Sequence, residues 1–175
     1  LYSTDNGPHR NSWPDAGTSP FRSEKNTGWE GSYRIPSFAR WPGKIQPGRI
    51  SDLLWYFPDV LPTVAELTGA SAPQDIDGIS IVPELLGESI TGRVQSQHEY
   101  LYWEFYEQGG KQGVRMEHWK GIRLNVRRDP SGPIELYDLK KDVGESRDVA
   151  AENPDVVVQM RKIMESARAP SELFP

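Results

Sequence analysis

The sequence predicts an α/β segment followed by a small α+β subdomain, an antiparallel sheet closed by one helix, and three observations point there. Apolar residues fall at helical spacing between Phe57 and Gly69. Beyond Gly92 the chain turns to short runs rich in aromatic and β-branched residues, separated by Gly and Pro. A second amphipathic helix begins with a clear start signal at Asn153-Pro154. Sixteen Gly and fifteen Pro among 175 residues imply many turns and irregular connections rather than a helical bundle.

Leu1 to Thr4 suits the end of a strand, which must stop at the turn-forming tetrapeptide Asp5-Asn6-Gly7-Pro8. Residues 5–32 then read as one long loop containing Gly7, Pro8, Pro14, Gly17, Pro20, Gly28 and Gly31. A loop of that length inside a compact domain is functional or disordered, and the large side chains Trp13, Phe21 and Trp29 favour an ordered one. Ile35 to Arg40 is a candidate strand whose start is weakened by Pro36. In the helix from Phe57 to Gly69, Val60, Leu61, Val64 and Leu67 make the apolar stripe, Pro62 fits an early turn, and Gly69 is the stop. Ala70 to Gly92 is loop with a short helix at Val82 to Leu86.

A second unit starts near Gln97, giving units of 1–96 and 97–175. Within it, Tyr100–Tyr106, Gly113–Glu117, Lys120–Val126 and Glu135–Leu139 form an antiparallel meander joined through Gly109-Gly110 and Pro130-Ser131-Gly132. The closing helix has Asn153 as N-cap and Pro154 at its first position, with Val156, Val157, Met160, Ile163 and Met164 as its buried stripe.

The net charge of −5 leaves no basic footprint for nucleic acid, and no Lys/Arg run suggests an electrostatic membrane contact. No membrane-spanning run and no signal peptide are visible, and the start at Leu1 without Met leads us to expect a missing upstream part. The absence of Cys excludes disulfides and thiolate metal sites and leaves the compartment open.

Asp5 and Asn6 are adjacent oxygen donors at a strand end, a combination suited to a hard cation such as Ca²⁺, although the same residues serve as a turn. Lys25, in the loop Phe21-Arg22-Ser23-Glu24-Lys25-Asn26, carries an ammonium that can hold a sulfate or phosphate oxygen or simply be solvated. His9 follows closely enough to reach a bound substrate, or to be an ordinary surface histidine. His98 and His118 lack a ligand pattern and read as structural or exposed. Trp29 and Glu30 read as ordering residues for the loop, and Arg34 as a buried partner for a carboxylate. The polar turn Glu107 to Gln112, after Trp103, Glu104 and Tyr106, is either a solvated hairpin tip or a cover that selects substrate.

The ordered run Thr4-Asp5-Asn6-Gly7-Pro8, Pro20-Phe21-Arg22, Lys25, Trp29-Glu30-Gly31, Arg34-Ile35-Pro36 and Arg40-Trp41-Pro42-Gly43-Lys44-Ile45 resembles the arylsulfatase family. Asp59-Val60-Leu61-Pro62-Thr63, Ile76-Asp77-Gly78, Trp119-Lys120, Glu135-Leu136-Tyr137-Asp138-Leu139 and Gly144-Glu145 extend the resemblance over essentially the whole chain. It implies the C-terminal part of an alkaline phosphatase-like sulfatase fold and the hydrolysis of a sulfate ester. Asp5 and Asn6 match two calcium ligands of the family, completed by upstream residues, and Lys25 matches its sulfate-binding lysine. The family's nucleophile is a formylglycine hydrate made from the Cys or Ser of C/S-x-P-x-R, and no such pattern occurs here. Thr18-Ser19-Pro20-Phe21-Arg22 has Thr in first place and coincides with the element before the sulfate lysine, so it is rejected as a nucleophile.

The resemblance therefore implies a formylglycine in the upstream segment and an inert segment alone. It also implies a sulfated small molecule or glycan as substrate and export to the periplasm or beyond. Ser23-Glu24 and Asn26 depart from the family, which has Gly-Gly before its lysine and Gly after it. Two alternatives stay open: a non-catalytic sugar-binding or interaction module, and a phosphoryl hydrolase of the alkaline phosphatase superfamily.

Overall fold

The computed structural model describes residues 1–10, 15, 17 and 19–169; Trp13, Pro14 and Thr18 lie outside the described residues. The chain forms two compact units, one of Leu1–Tyr2 with Ser37–Glu99, the other of Ser3–Pro36 with Tyr100–Pro175. The chain passes back into the second unit at Tyr100. Residues 3–36 join that unit as well, because side chains between Arg22 and Tyr33 are held by the sheet.

The first unit holds Tyr2 of β1 (Tyr2–Ser3) and the whole of β2 (Ser37–Phe38), which make a two-stranded sheet, with Tyr2 stacked on Phe38 at 4.8 Å. The strand expected over residues 35–40 is confined to these two positions. After β2 in this unit comes a 3₁₀ turn, Phe57–Asp59, leading into α2 (Val60–Thr68), which ends on Gly69 at φ +72°. That angle is comfortable for glycine and costly for other residues, so the helix stops where the sequence indicates. Fully buried Asp59 ties the unit together: it accepts from Tyr56 N at 3.0 Å and Ile79 N at 2.8 Å and contacts His98 Nε2 at 2.9 Å. His98 is therefore a structural histidine, as its lack of a ligand pattern indicates. α3 (Val82–Leu86) matches the expected short helix, and α4 (Glu88–Thr91) follows it.

In the second unit, α1 (Glu30–Tyr33) is a single turn inside the segment read as loop. β3 (Leu101–Phe105), β4 (Lys111–Met116), β5 (Trp119–Leu124) and β6 (Ile134–Asp138) form an antiparallel meander in sequential order. Gly113 lies opposite Ile122, and Gly121 opposite Leu136. The β3–β4 turn uses the positive φ of Gln108, Gly109 and Gly110, and the two-residue β4–β5 turn that of Glu117.

Alternation along the strands gives the sheet two differently covered faces. One packs α5 (Pro154–Ser166) through a core of Val114, Ile134, Leu136, Met160 and Met164, joined at its margin by Val156, Val157 and Ile163. These are the stripe residues that the helical spacing selects. Gly121 is small because Met160 lies directly over it: a Cβ there would come within 3.0 Å of the Met160 side chain. Asn153 begins this helix, but its side chain does not cap it; Nδ2 donates backward to the Val149 carbonyl at 2.9 Å. The other face buries Ile122, Tyr137 and Leu139 against Trp29.

Candidate functional site

The segment from Asp5 to Pro8, the loop from Arg22 to Asn26 and α1 are clamped by backbone hydrogen bonds. Gly7 N donates to Ser32 O at 3.0 Å, Gly31 N to Arg22 O at 2.8 Å, and Lys25 N to Pro8 O at 2.9 Å. Glycine is required at two crossings. A Cβ on Gly7 would overlap the Gly31 carbonyl oxygen, and one on Gly31 the carbonyl oxygens of Arg22 and Ser23. The clamp places the Lys25 backbone against Pro8, two residues past Asn6, so residues twenty positions apart share one locality.

Asp5 is exposed, and Asn6, His9 and Lys25 are half-buried. Among the described residues, none of these four side chains has a hydrogen-bond or ion-pair partner, and the buried Thr4 Oγ1 next to Asp5 is also unpartnered. Unengaged oxygens of a carboxylate and an amide fit a hard cation such as Ca²⁺, which takes roughly six to eight oxygen ligands. These two residues supply only part of such a shell, and no cluster of three or more His, Cys, Asp or Glu suited to a metal occurs among the described residues.

Ser23 and Asn26, which flank Lys25 at φ +69° and +70°, hold the left-handed backbone that glycine adopts freely. The loop around Lys25 thus holds this backbone without glycine at either position. Glu24, whose charge sits beside a proposed anion site, has its carboxylate engaged: Oε2 accepts from Arg10 N at 2.7 Å.

Behind the loop lies an ionic cluster that the sequence did not reveal. Lys120, fully buried on β5, places Nζ 3.2 Å from Glu30 Oε1 and over the stacked rings of Tyr33 and Trp103, at 4.7 and 5.0 Å from their centroids. Glu145 accepts from Glu30 N at 2.7 Å, while Arg22 donates to Glu145 O at 2.8 Å and to Tyr137 Oη at 2.7 Å and lies over the Trp29 ring. Burial lifts the Glu145 carboxyl to about 7. The Glu30 N–H and the cations Lys120 and Arg22 pull it down, and the Glu30 carboxylate adds to the rise. Arg115, opposite Lys120 in the β4–β5 ladder, keeps Nε and Nη1 buried with no hydrogen-bond partner among the described residues.

Lys120 shares a strand face with Ile122, and a charged residue at an inward register position was the one available sign of this cluster. The ordering role read for Trp29 and Glu30 holds. Arg34 differs from expectation: it is exposed and lies over the Phe21 ring at 4.5 Å rather than pairing with a carboxylate in the interior. His118 is partly exposed, 3.9 Å from both Glu117 and Asp138.

Residues 23–170 match the family model described as N-sulphoglucosamine sulphohydrolase, C-terminal, and the chain belongs to the sulfatase family. It is 32% identical to human arylsulfatase A, over 93% of this chain and 36% of that protein. It is 28% identical to an N-acetylgalactosamine-6-O-sulfatase of Bacteroides thetaiotaomicron, over 85% of this chain and 30% of the relative. A crystal structure of Ps i-CgsB in complex with k-i-k-neocarrahexaose superposes with a TM-score of 0.78 at 25% identity, covering 94% of this chain and 35% of that one. The chain spans about a third of the length of the curated relatives it matches. No helix among the described residues is long and apolar enough to cross a membrane.

Proposed function

We propose that this chain forms the C-terminal part of a sulfuric ester hydrolase acting on a sulfated carbohydrate. The observation that carries the reading is the backbone clamp: Lys25 N on Pro8 O and Gly7 N on Ser32 O keep the oxygen donors and the lysine in one locality. Asp5 and Asn6 hold part of the shell of a Ca²⁺ ion, which when bound supplies positive charge to the sulfate oxygens. Lys25 donates from its ammonium to a sulfate oxygen and stabilises the charge that grows there as the ester bond breaks. His9 contacts the substrate beside them. The nucleophile, a formylglycine, comes from outside these residues, so the chain alone has no turnover. A sugar substrate is supported by the relatives named for N-acetylgalactosamine-6-O-sulfate hydrolysis and found with a carrageenan-type hexaose. Such a substrate suits export to the periplasm or the medium.

The test is hydrolysis of a sulfated monosaccharide by the product of the whole reading frame, with Ca²⁺ or with EDTA. Lys25→Ala should lower kcat/KM by about 10²- to 10³-fold, the usual effect of removing one transition-state donor, and Asp5→Ala should raise the Ca²⁺ needed for half-maximal rate. Activity within twofold of wild type in Lys25→Ala would reject the assignment. A reading frame without C/S-x-P-x-R that still binds sulfated glycan would favour a sugar-binding module.

A further inference from the structure

On the α5 face of the sheet, away from the Lys25 loop, lies a cavity of about 360 Å³. Its walls come from the ends of β3 and β4, the connection after β5 and the last turn of α5. Arg123 is on this face because it alternates with Ile122, whose side chain packs toward Trp29. Only 2% of Arg123 is exposed.

One end of its guanidinium is occupied: Nη1 donates to Gln112 Oε1 at 3.1 Å and to Pro130 O at 2.9 Å. The other edge, Nε and Nη2, is buried with no hydrogen-bond partner among the described residues. Unsatisfied buried donors on a cation are costly, and native structures seldom leave them so without a function. Nε–H and Nη2–H run parallel, the spacing at which two oxygens of one sulfate, phosphate or carboxylate are gripped side-on.

The surroundings favour an anion. Lys111, Arg127 and Arg168 line the same cavity, opposed by Glu104 and Glu165. Glu104 is already engaged, accepting from Gln112 Nε2 at 3.1 Å and from Arg168 Nε at 3.0 Å. Of the other charged groups that act on Arg123, Arg161 adds positive charge, while Glu165 and Asp129 add negative charge. The negative end of α5 works against an anion within its last turn, where Arg168 offsets it. Phe105 and Tyr106 add flat aromatic surface of the kind that sugar rings cover.

We propose that this cavity is a second anion-binding site, in which the free Nε–Nη2 edge of Arg123 takes a sulfate-type oxyanion, separate from the Lys25 locality. The oxyanion is either free sulfate or a sulfate group carried on a sugar. Glu165, exposed at the rim, competes with it for Arg123.

The test is a titration of the ¹⁵N-labelled protein with sodium sulfate and, separately, with glucose 6-sulfate, against sodium chloride at equal ionic strength. The arginine Nε–H signals are followed throughout. A saturable shift of the Arg123 signal is expected, retained in Lys25→Ala and tightened in Glu165→Gln. In Arg123→Lys, which keeps the charge and loses the fork, affinity should fall by about tenfold or more. Glucose 6-sulfate binding more tightly than sulfate identifies a sugar-borne group, and equal affinity identifies the free ion. An Arg123 signal that sulfate leaves unmoved overturns the proposal, as does binding lost in Lys25→Ala or unchanged in Arg123→Lys. Should Arg123→Lys not fold, the wild-type Arg123 signal and the Glu165→Gln titration decide by themselves. No tightening in Glu165→Gln would overturn the competition at the rim.

Discussion

Replacing Lys120 by methionine isolates the contact that fastens the lysine-bearing loop to the sheet. Methionine keeps most of the volume and removes the charge, leaving the Glu30 carboxylate, whose side chain is 9% exposed, without its partner at 3.2 Å. Breaking a buried pair from one side costs about 3–5 kcal/mol, chiefly because a desolvated charge is left behind. Loss of the ammonium from the Tyr33 and Trp103 rings adds about 0.5–2 kcal/mol. At about 2–4 °C per kcal/mol for a chain of this size, the melting temperature should fall by at least roughly 7 °C and up to about 28 °C. The double variant Glu30→Gln/Lys120→Met removes both charges and should recover at least about 2 kcal/mol of the loss, which denaturant unfolding followed by tryptophan fluorescence would show. A loss below about 1 kcal/mol in Lys120→Met, or simple additivity of the two substitutions, would refute the idea that the pair anchors α1.

Three further outcomes follow from the same structure. Because the Glu145 carboxyl sits near 7 in the fold against about 4.5 in the unfolded chain, the folded state holds that proton more tightly. Stability from this group is full below pH about 4.5 and is lost as pH rises to about 7, so Glu145→Gln should flatten the pH dependence of the melting temperature across that window. Ser23→Gly should stabilise by about 0.5–1 kcal/mol, the left-handed backbone cost of serine less the entropy cost of glycine, and unchanged denaturant midpoints would contradict the strain at φ +69°. Asp59→Ala removes the acceptor for Tyr56 N and Ile79 N and the partner of His98; a loss of about 3 kcal/mol or more is expected in thermal unfolding, against near neutrality if the cluster were incidental.

Elements that repeat a local period were legible in the sequence. α2, the meander and α5 follow from helical or alternating spacing, and Gly69 and Pro154 mark ends with residues whose backbone preferences are strong. α1 was not legible, because a four-residue turn has no period and is held from afar: Glu30 meets Lys120 ninety residues on and Glu145 at a separation of 115. Asn153 shows the limit of residue preference: the right type stands at the helix start, yet its amide finds a better acceptor in Val149. In the candidate site the residue types of Asp5, Asn6 and Lys25 were visible, and the backbone clamp between them was not. Hydrogen bonds between carbonyls and N–H groups leave no mark on side-chain identity except the two glycines that make room for them.

That residues 3–36 belong to the same compact unit as the sheet bears on how such proteins can be rearranged in evolution. A sheet-and-helix piece beginning near residue 100 would carry away Lys120, Ile122 and Tyr137 while leaving behind Glu30 and Trp29, which cover them. Recombination at that seam would yield an exposed apolar face and a stranded buried charge. The portion that can be inherited whole, or exchanged between relatives, must therefore include the stretch that carries Lys25, so the Lys25 loop and the sheet behind it are obliged to diverge together.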